Sequence, residues 1–268
     1  GEILLSGDLR RTAFKADLAG GKVSLKAEGL VGPFENSLDE QIDHILIKGH
    51  ALNLAEFVPS APQTDLDFDA TIVPSPQKGL ALEGSIDLTN SLAAPADQNG
   101  IPVRSILGEF TVGDSGILKV HDVTATLLEE GALILGGETD TDKNTFALEA
   151  ILKNASLSDF VSQKYDDVFE GSLLLNGTYR EPQAKWDIRG NRASSTGELA
   201  IANDTANGQR SLNIIKASLL PKDGGELDIK GRLELFNDRL LEAEATGKNF
   251  NPGKLHPDFP VGSINGDI

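Results

Sequence analysis

The sequence predicts an all-β chain, an elongated and repetitive antiparallel sheet with short helical corners. Two observations carry this: apolar residues recur at every second position in segment after segment, and turn-forming clusters separate those segments. A third is internal similarity at a spacing of about one hundred residues.

In chain order, the period of two appears at Val23/Leu25/Ala27, at Leu66/Phe68/Ala70/Ile72, and at Leu80/Leu82/Ile86/Leu88 with Gly84 in the same phase. It returns at Phe146/Leu148/Ala150/Leu152, at Leu173/Leu175/Gly177/Tyr179, and at Leu227/Ile229/Gly231/Leu233/Leu235. Side chains two apart share one face of a sheet, so each segment has an apolar face and a more polar one. Turn clusters lie between them: Ala19 to Lys22, Pro74-Ser75-Pro76, Gly113 to Gly116, Gly136-Gly137, Asp140 to Asn144, Asn203 to Gly208 and Lys222 to Gly225. Strands joined by short turns pair as antiparallel neighbours. The pattern yields sixteen to eighteen strands, with helical candidates only at Leu54–Val58 and Leu157–Lys164. Two architectures accommodate so many strands, namely two or more closed sandwiches or one continuing sheet.

The repeat helps to choose. KGHALNLAEF (Lys48 to Phe57) has a counterpart in LKNASLSDF (Leu152 to Phe160), where Leu54 matches Leu157, Glu56 matches Asp159, and Phe57 matches Phe160, 103 residues on. A polar gap and an alternating strand follow each, at Thr64 to Thr71 and at Glu170 to Thr178. A third copy runs from Lys248 to Leu255, which lies 95 residues beyond Phe160, and leads into Gly262 to Ile268. The approximate units are 1–57, 58–160, 161–255 and a shortened 256–268 within one continuous β segment. Such repeats stack lengthwise.

The amphipathic strands, the L-x-[DE]-F corner, G-x-[IL]-x-G pieces such as Gly262 to Gly266, and the step Gly177-Thr-Tyr-Arg-Glu-Pro182 resemble the TamB-like and AsmA-like periplasmic proteins. The resemblance covers most of the chain through short motifs and no invariant site. It implies a sheet curled along its length into a trough, apolar within and polar outside. It further implies anchorage in the inner membrane of a Gram-negative bacterium, passage through the periplasm, and contact with a TamA-like outer-membrane barrel through parts outside this segment. The roles implied are phospholipid transfer between the membranes and assistance to outer-membrane protein assembly.

An acyl chain is driven onto apolar surface by about 0.8 kcal/mol per methylene, so such a trough holds one without a specific motif. The lining candidates are Leu66, Phe68, Leu80, Leu82, Ile86, Leu88, Phe146, Leu148, Leu152, Leu173, Leu175, Leu227, Ile229, Leu233 and Leu235. Some seventeen strands in one ladder, at about 4.8 Å each, would extend about 80 Å. The contrasting reading closes the same faces against a second layer, giving a tandem β-sandwich module that binds a protein and carries no lipid.

Composition excludes other classes. Lys and Arg number 24 against 41 Asp and Glu, a formal charge of −17, which argues against nucleic acid as a partner. The absence of cysteine removes disulfides, thiolate metal sites and sulfur nucleophiles. No apolar run approaches the roughly 18 residues of a membrane span, and the chain, starting at Gly1 without methionine, reads as a segment of a longer protein. Asp140 to Asn144 begins like a calcium loop, yet Thr145 and Ile151 stand where glycine and glutamate belong, so it reads as a hairpin turn. Asp65, Asp67 and Asp69 read as a solvated strand face. His44 and His50 share a face but lack a third ligand, and His121 and His256 are remote. With neither a G-x-S-x-G elbow nor a phosphate loop, no catalytic residue, metal site or cofactor is expected. Trp186 and Tyr179 read as packing anchors beside the 177–182 turn.

Overall fold

The structure, a computed structural model, describes all residues except 9, 36, 59, 164–166, 205–208, 235–240, 256–258 and 268. Two units divide the chain, the first comprising residues 1–142 and 155–165 and the second 143–154 and 166–268.

The first unit is a meander of β1 (Glu2–Gly7), β2 (Thr12–Gly20), β3 (Val23–Val31), β4 (Ile42–Leu52), β5 (Leu66–Pro74), β6 (Leu80–Asn90), β7 (Val103–Gly113), β8 (Ile117–Leu127) and β9 (Ala132–Asp140). Each strand pairs antiparallel with the next. The β2–β3 hairpin closes where Gly20 faces Val23, and Gly21 takes φ +63°, a left-handed angle that side chains with a Cβ resist. Two single α-helical turns, α1 (Leu38–Gln41) and α2 (Leu54–Phe57), and a 3-10 turn, Ala96–Gln98, interrupt the meander, and α1 lies against β4, β5 and β6. β10 (Thr145–Ser156) crosses from the second unit into the first, where α3 (Leu157–Phe160) follows.

In the second unit, β11 (Val168–Thr178), β12 (Pro182–Gly190), β13 (Ala193–Asp204), β14 (Gln209–Pro221), β15 (Glu226–Glu234), β16 (Leu241–Phe250) and β17 (Ile264–Asp267) continue the same rule. The fold is therefore all-β and antiparallel with short helical corners, as the sequence predicts.

The corners share one construction. Three residues before each turn the backbone adopts positive φ, at Ala51 (53°), Asn154 (48°) and Asn249 (52°). This left-handed residue bulges the strand and redirects it. A polar cap then stands at Asn53, Ser156 and Asn251, whose side chains accept from the N–H groups of Ala55, Ser158 and Gly253. In the first and third copies the bulged N–H donates to a side chain 16 residues on: Ala51 to Asp67 Oδ1 at 2.8 Å, Asn249 to Asn265 Oδ1 at 2.7 Å. The third corner is a 3-10 turn, Pro252–Lys254.

The second corner is shorter than its sequence predicts. Its helix ends at Phe160, Val161 is extended (φ −127°), and the Ser162 N–H and hydroxyl donate to Asp97, the hydroxyl at 2.6 Å. A hydrogen bond to a carboxylate there replaces the next helical turn. Asp159 is fully buried and accepts from the backbone N–H groups of Ser156 (2.7 Å) and Glu129, giving this corner a capping box.

Candidate functional site: an apolar sheet face

Cross-strand partners share a face, so the register assembles the apolar side chains into rows running across the strands. In the first unit a central row is Ile3, Ala16, Ala27, Ile47, Ala70, Ile86 and Gly108. On one side of it runs Leu5, Phe14, Gly29, Ile45, Ile72, Gly84, Phe110, Val120 and Gly137. On the other runs Leu18, Leu25, Gly49, Phe68, Leu88, Ile106, Ala125 and Leu133. No side chain in these three rows is polar.

A second regularity is absent from single-strand patterning. Each glycine at Gly29, Gly49 and Gly84 stands directly opposite a phenylalanine, Phe14, Phe68 and Phe110. A Cβ built on these glycines would come within 2.6, 2.3 and 2.3 Å of the opposing ring, so the rings lie on the glycine backbone. Phe169 covers Gly190 and Trp186 covers Gly197 in the second unit in the same way. An aromatic ring over a strand glycine restores the packing that the missing side chain forfeits.

Of the fourteen described lining candidates, Leu82 alone is buried, at 5% exposure, and the other thirteen are half-buried. Leu235 lies outside the described residues. The register brings Phe68 opposite Leu88, sets Leu66, Leu82 and Ile86 on that same face, and in the second unit gathers Leu173, Leu175, Leu227, Ile229 and Leu233. Leu80 does not join them: a bulge between Leu80 and Leu82 sets it opposite Gly113, out of phase with the Leu82–Val112 pair, and turns it to the polar side. Phe146, Leu148 and Leu152 alternate with exposed neighbours along β10, and the Phe146 ring stacks on Tyr179 at 5.8 Å.

Half-burial is the signature of an apolar sheet face covered only by its own neighbours, because a facing layer drives such side chains to full burial. The accessible surface agrees. The chain exposes 16410 Å², whereas compact folding of 28.4 kDa leaves roughly 11,000 Å² and two compact halves would leave roughly 13,500 Å².

The opposite face is polar and cross-linked by exposed ion pairs: Lys26 with Asp17, Lys48 with Asp69 at 2.6 Å, and His50 with Asp67 at 2.7 Å. Asp65 precedes β5, so two of the three alternating carboxylates stand on this face and both have a cross-strand partner. The Ala51 N–H, helped by His50, holds the Asp67 carboxyl below the ordinary aspartate range, and the Asp69 carboxylate raises the Lys48 ammonium. His44 contacts Asp43 and His121 contacts Thr111, while His256 lies outside the described residues. Among the described residues no three His, Asp or Glu are placed to hold a metal ion.

Cavities also open on the polar side. One of about 570 Å³ is lined by Thr71, Glu83, Ser85, Glu109, Thr111, Lys119 and His121, with Leu80 the sole lining candidate touching it. Another of about 710 Å³ lies over Glu170, Ser172, Asp187 and Arg189 in the second unit. The apolar face thus offers a long surface, where the polar face offers pits. No family model, curated protein or solved structure matches this chain.

Proposed function

We propose that this chain is a non-catalytic segment of a TamB-like or AsmA-like periplasmic protein, whose apolar face shelters phospholipid acyl chains in transfer between the inner and outer membranes. Assistance to outer-membrane protein assembly, and contact with an outer-membrane barrel through parts of the protein outside this segment, belong to the same reading. The observation that carries it is the uncovered face of the first unit, where three rows of side chains are apolar without exception and, apart from the ring- or valine-covered glycines, remain half-buried or exposed. An exposed apolar patch of more than several hundred Å² is abnormal for a solitary soluble domain and marks a ligand or partner. A tandem sandwich without lipid requires those side chains to be sealed, and thirteen of the fourteen described candidates are not.

Native mass spectrometry and lipid extraction of the purified protein test the proposal directly. Co-purifying phospholipid is expected, and Leu148→Asp or Leu227→Asp is expected to abolish crosslinking to a photoactivatable phospholipid while far-UV circular dichroism stays that of the parent. A lipid-free parent protein that also fails to take phospholipid from vesicles overturns the reading.

A further inference from the structure

We infer that a single hydrocarbon chain lies across β2 to β6 of the first unit, in a furrow floored by the central row Ala16, Ala27, Ile47, Ala70 and Ile86. The inference rests on the lipid reading above and names where on the face the chain runs.

The furrow follows from side-chain volume at fixed register. Along each strand the neighbouring rows stand about 7 Å to either side. Those flanking rows carry the larger groups, and where they contain a glycine a phenylalanine of the same row fills it, Phe14 over Gly29, Phe110 over Gly84 and Phe68 over Gly49. The rings thus complete two ridges.

Between them, three of the five floor positions are alanines. Ala16, Ala27 and Ala70 stay half-buried, whereas alanines covered by neighbours elsewhere in the chain are sealed, as at Ala150 (4%) and Ala184 (7%). The floor is therefore not sealed. Five strands at about 4.8 Å spacing give it a length of about 19 Å, the scale of one fatty acyl chain.

The chemistry selects the occupant. The backbone N–H and C=O groups of these strands are committed to the ladder, and the floor and ridges present no donor or acceptor. A polypeptide laid there would bury its own peptide groups unpaired, a cost that a hydrocarbon does not incur. A furrow one side chain wide also takes one chain, not a paired sheet.

Photolabelling with vesicles of phosphatidylcholine carrying a diazirine in its acyl chain tests the assignment, with labelled residues located by peptide mass spectrometry. Label on Ala27, Ile47, Ala70 or Ile86 is expected. The double variant A27I/A70I fills the floor with β-branched residues that favour strands. Its labelling should fall about tenfold, the loss expected when roughly two methylenes lose their contact. Asp87→Ala, on the polar face of the same strand β6, should retain labelling.

If the parent is labelled and A27I/A70I is labelled equally, the furrow is wrong and the lipid reading stands. If the parent takes no label on the apolar face of either unit, the lipid reading itself falls.

Discussion

In the first unit the three rows from β2 to β7 are aliphatic or aromatic throughout, apart from Gly29, Gly49, Gly84 and Gly108, which a ring or a neighbouring valine covers, while Thr12, Gly20 and Asn90 stand beyond the rows at strand ends. The second unit obeys the same register but admits polar and very small groups. Trp186 donates its indole N–H to Ser195 at 3.0 Å on that face, and β15 and β16 contribute Gly231, Ala243, Ala245 and Gly247. Strand alternation therefore decides which face is apolar, while volume at each register position decides how much hydrocarbon surface that face presents. By this measure the first unit presents the more continuous apolar surface.

Substitution at the covered glycines should produce the largest effects. A Cβ at Gly84 would meet both the Phe110 ring, at 2.3 Å, and the carbonyl oxygen of Thr71, at 2.6 Å, and a backbone oxygen cannot rotate aside. Gly84→Ala should cost about 3 kcal/mol in urea unfolding. At Gly197 the three nearest atoms, from 2.1 Å, all belong to the Trp186 side chain, which has rotamer freedom to yield. Gly197→Ala should cost about 1 kcal/mol. Equal unfolding midpoints for both variants and the parent would mean that the rings do not rest on these glycines.

The hydrogen bond peculiar to the second unit sets the next scale. Ser195→Ala leaves the indole N–H without its hydroxyl acceptor in a half-buried setting, a loss of about 1 kcal/mol. Trp186 is the protein's single tryptophan, so its emission reports this site alone. A changed emission maximum with lowered stability is expected; identical spectra and midpoints would show that the bond contributes nothing.

The contrast between units also marks what the sequence discloses. Period-two spacing is a local signal, and it located the apolar faces of β5, β11 and β15 without help from partners, while the internal repeat located the corners; in β6 it also included Leu80, which a bulge turns to the other face. It placed Gly84 in phase with Leu82 and Ile86 but could not show why glycine is tolerated there, because the explanation is Phe110, 26 residues away on the neighbouring strand. The central furrow was hidden for the same reason: Ala27 and Ala70 become neighbours of Ile47 only once register is fixed. Likewise the left-handed residue is asparagine at Asn154 and Asn249 but alanine at Ala51, so side-chain type marks two of the three corners and the shared geometry shows fully only in the backbone. The helix expected to reach Lys164 ends early because Asp97, far away in sequence, takes the Ser162 N–H.

Electrostatics provides the smallest and last separation between the units. Asp8, Asp43, Asp67 and Asp97, all in the first unit, have carboxyls held below the ordinary aspartate range. The causes are the Arg11 and Arg10 backbone N–H groups for Asp8, the His44 and Arg11 side chains for Asp43, the Ala51 N–H and His50 for Asp67, and the Ser162 hydroxyl and N–H for Asp97. A carboxyl with a lowered folded pKa contributes its full stabilisation above the unfolded value, near 4, and loses it as pH falls through the folded value. All four groups are exposed, so solvent and salt keep each contribution small. Acidification from pH 7 to about 5 should therefore change nothing. Further descent should lower the protection of the Ala51 and Ser162 amides in the first unit, measured as exchange relative to the intrinsic rate at each pH, before Trp186 emission in the second unit responds. Asp97→Asn, which cannot ionise, should raise Ser162 exchange at pH 7 and flatten its acid dependence. Equal acid sensitivity of the Ser162 amide in parent and variant would show that the Asp97 carboxylate does not hold this corner.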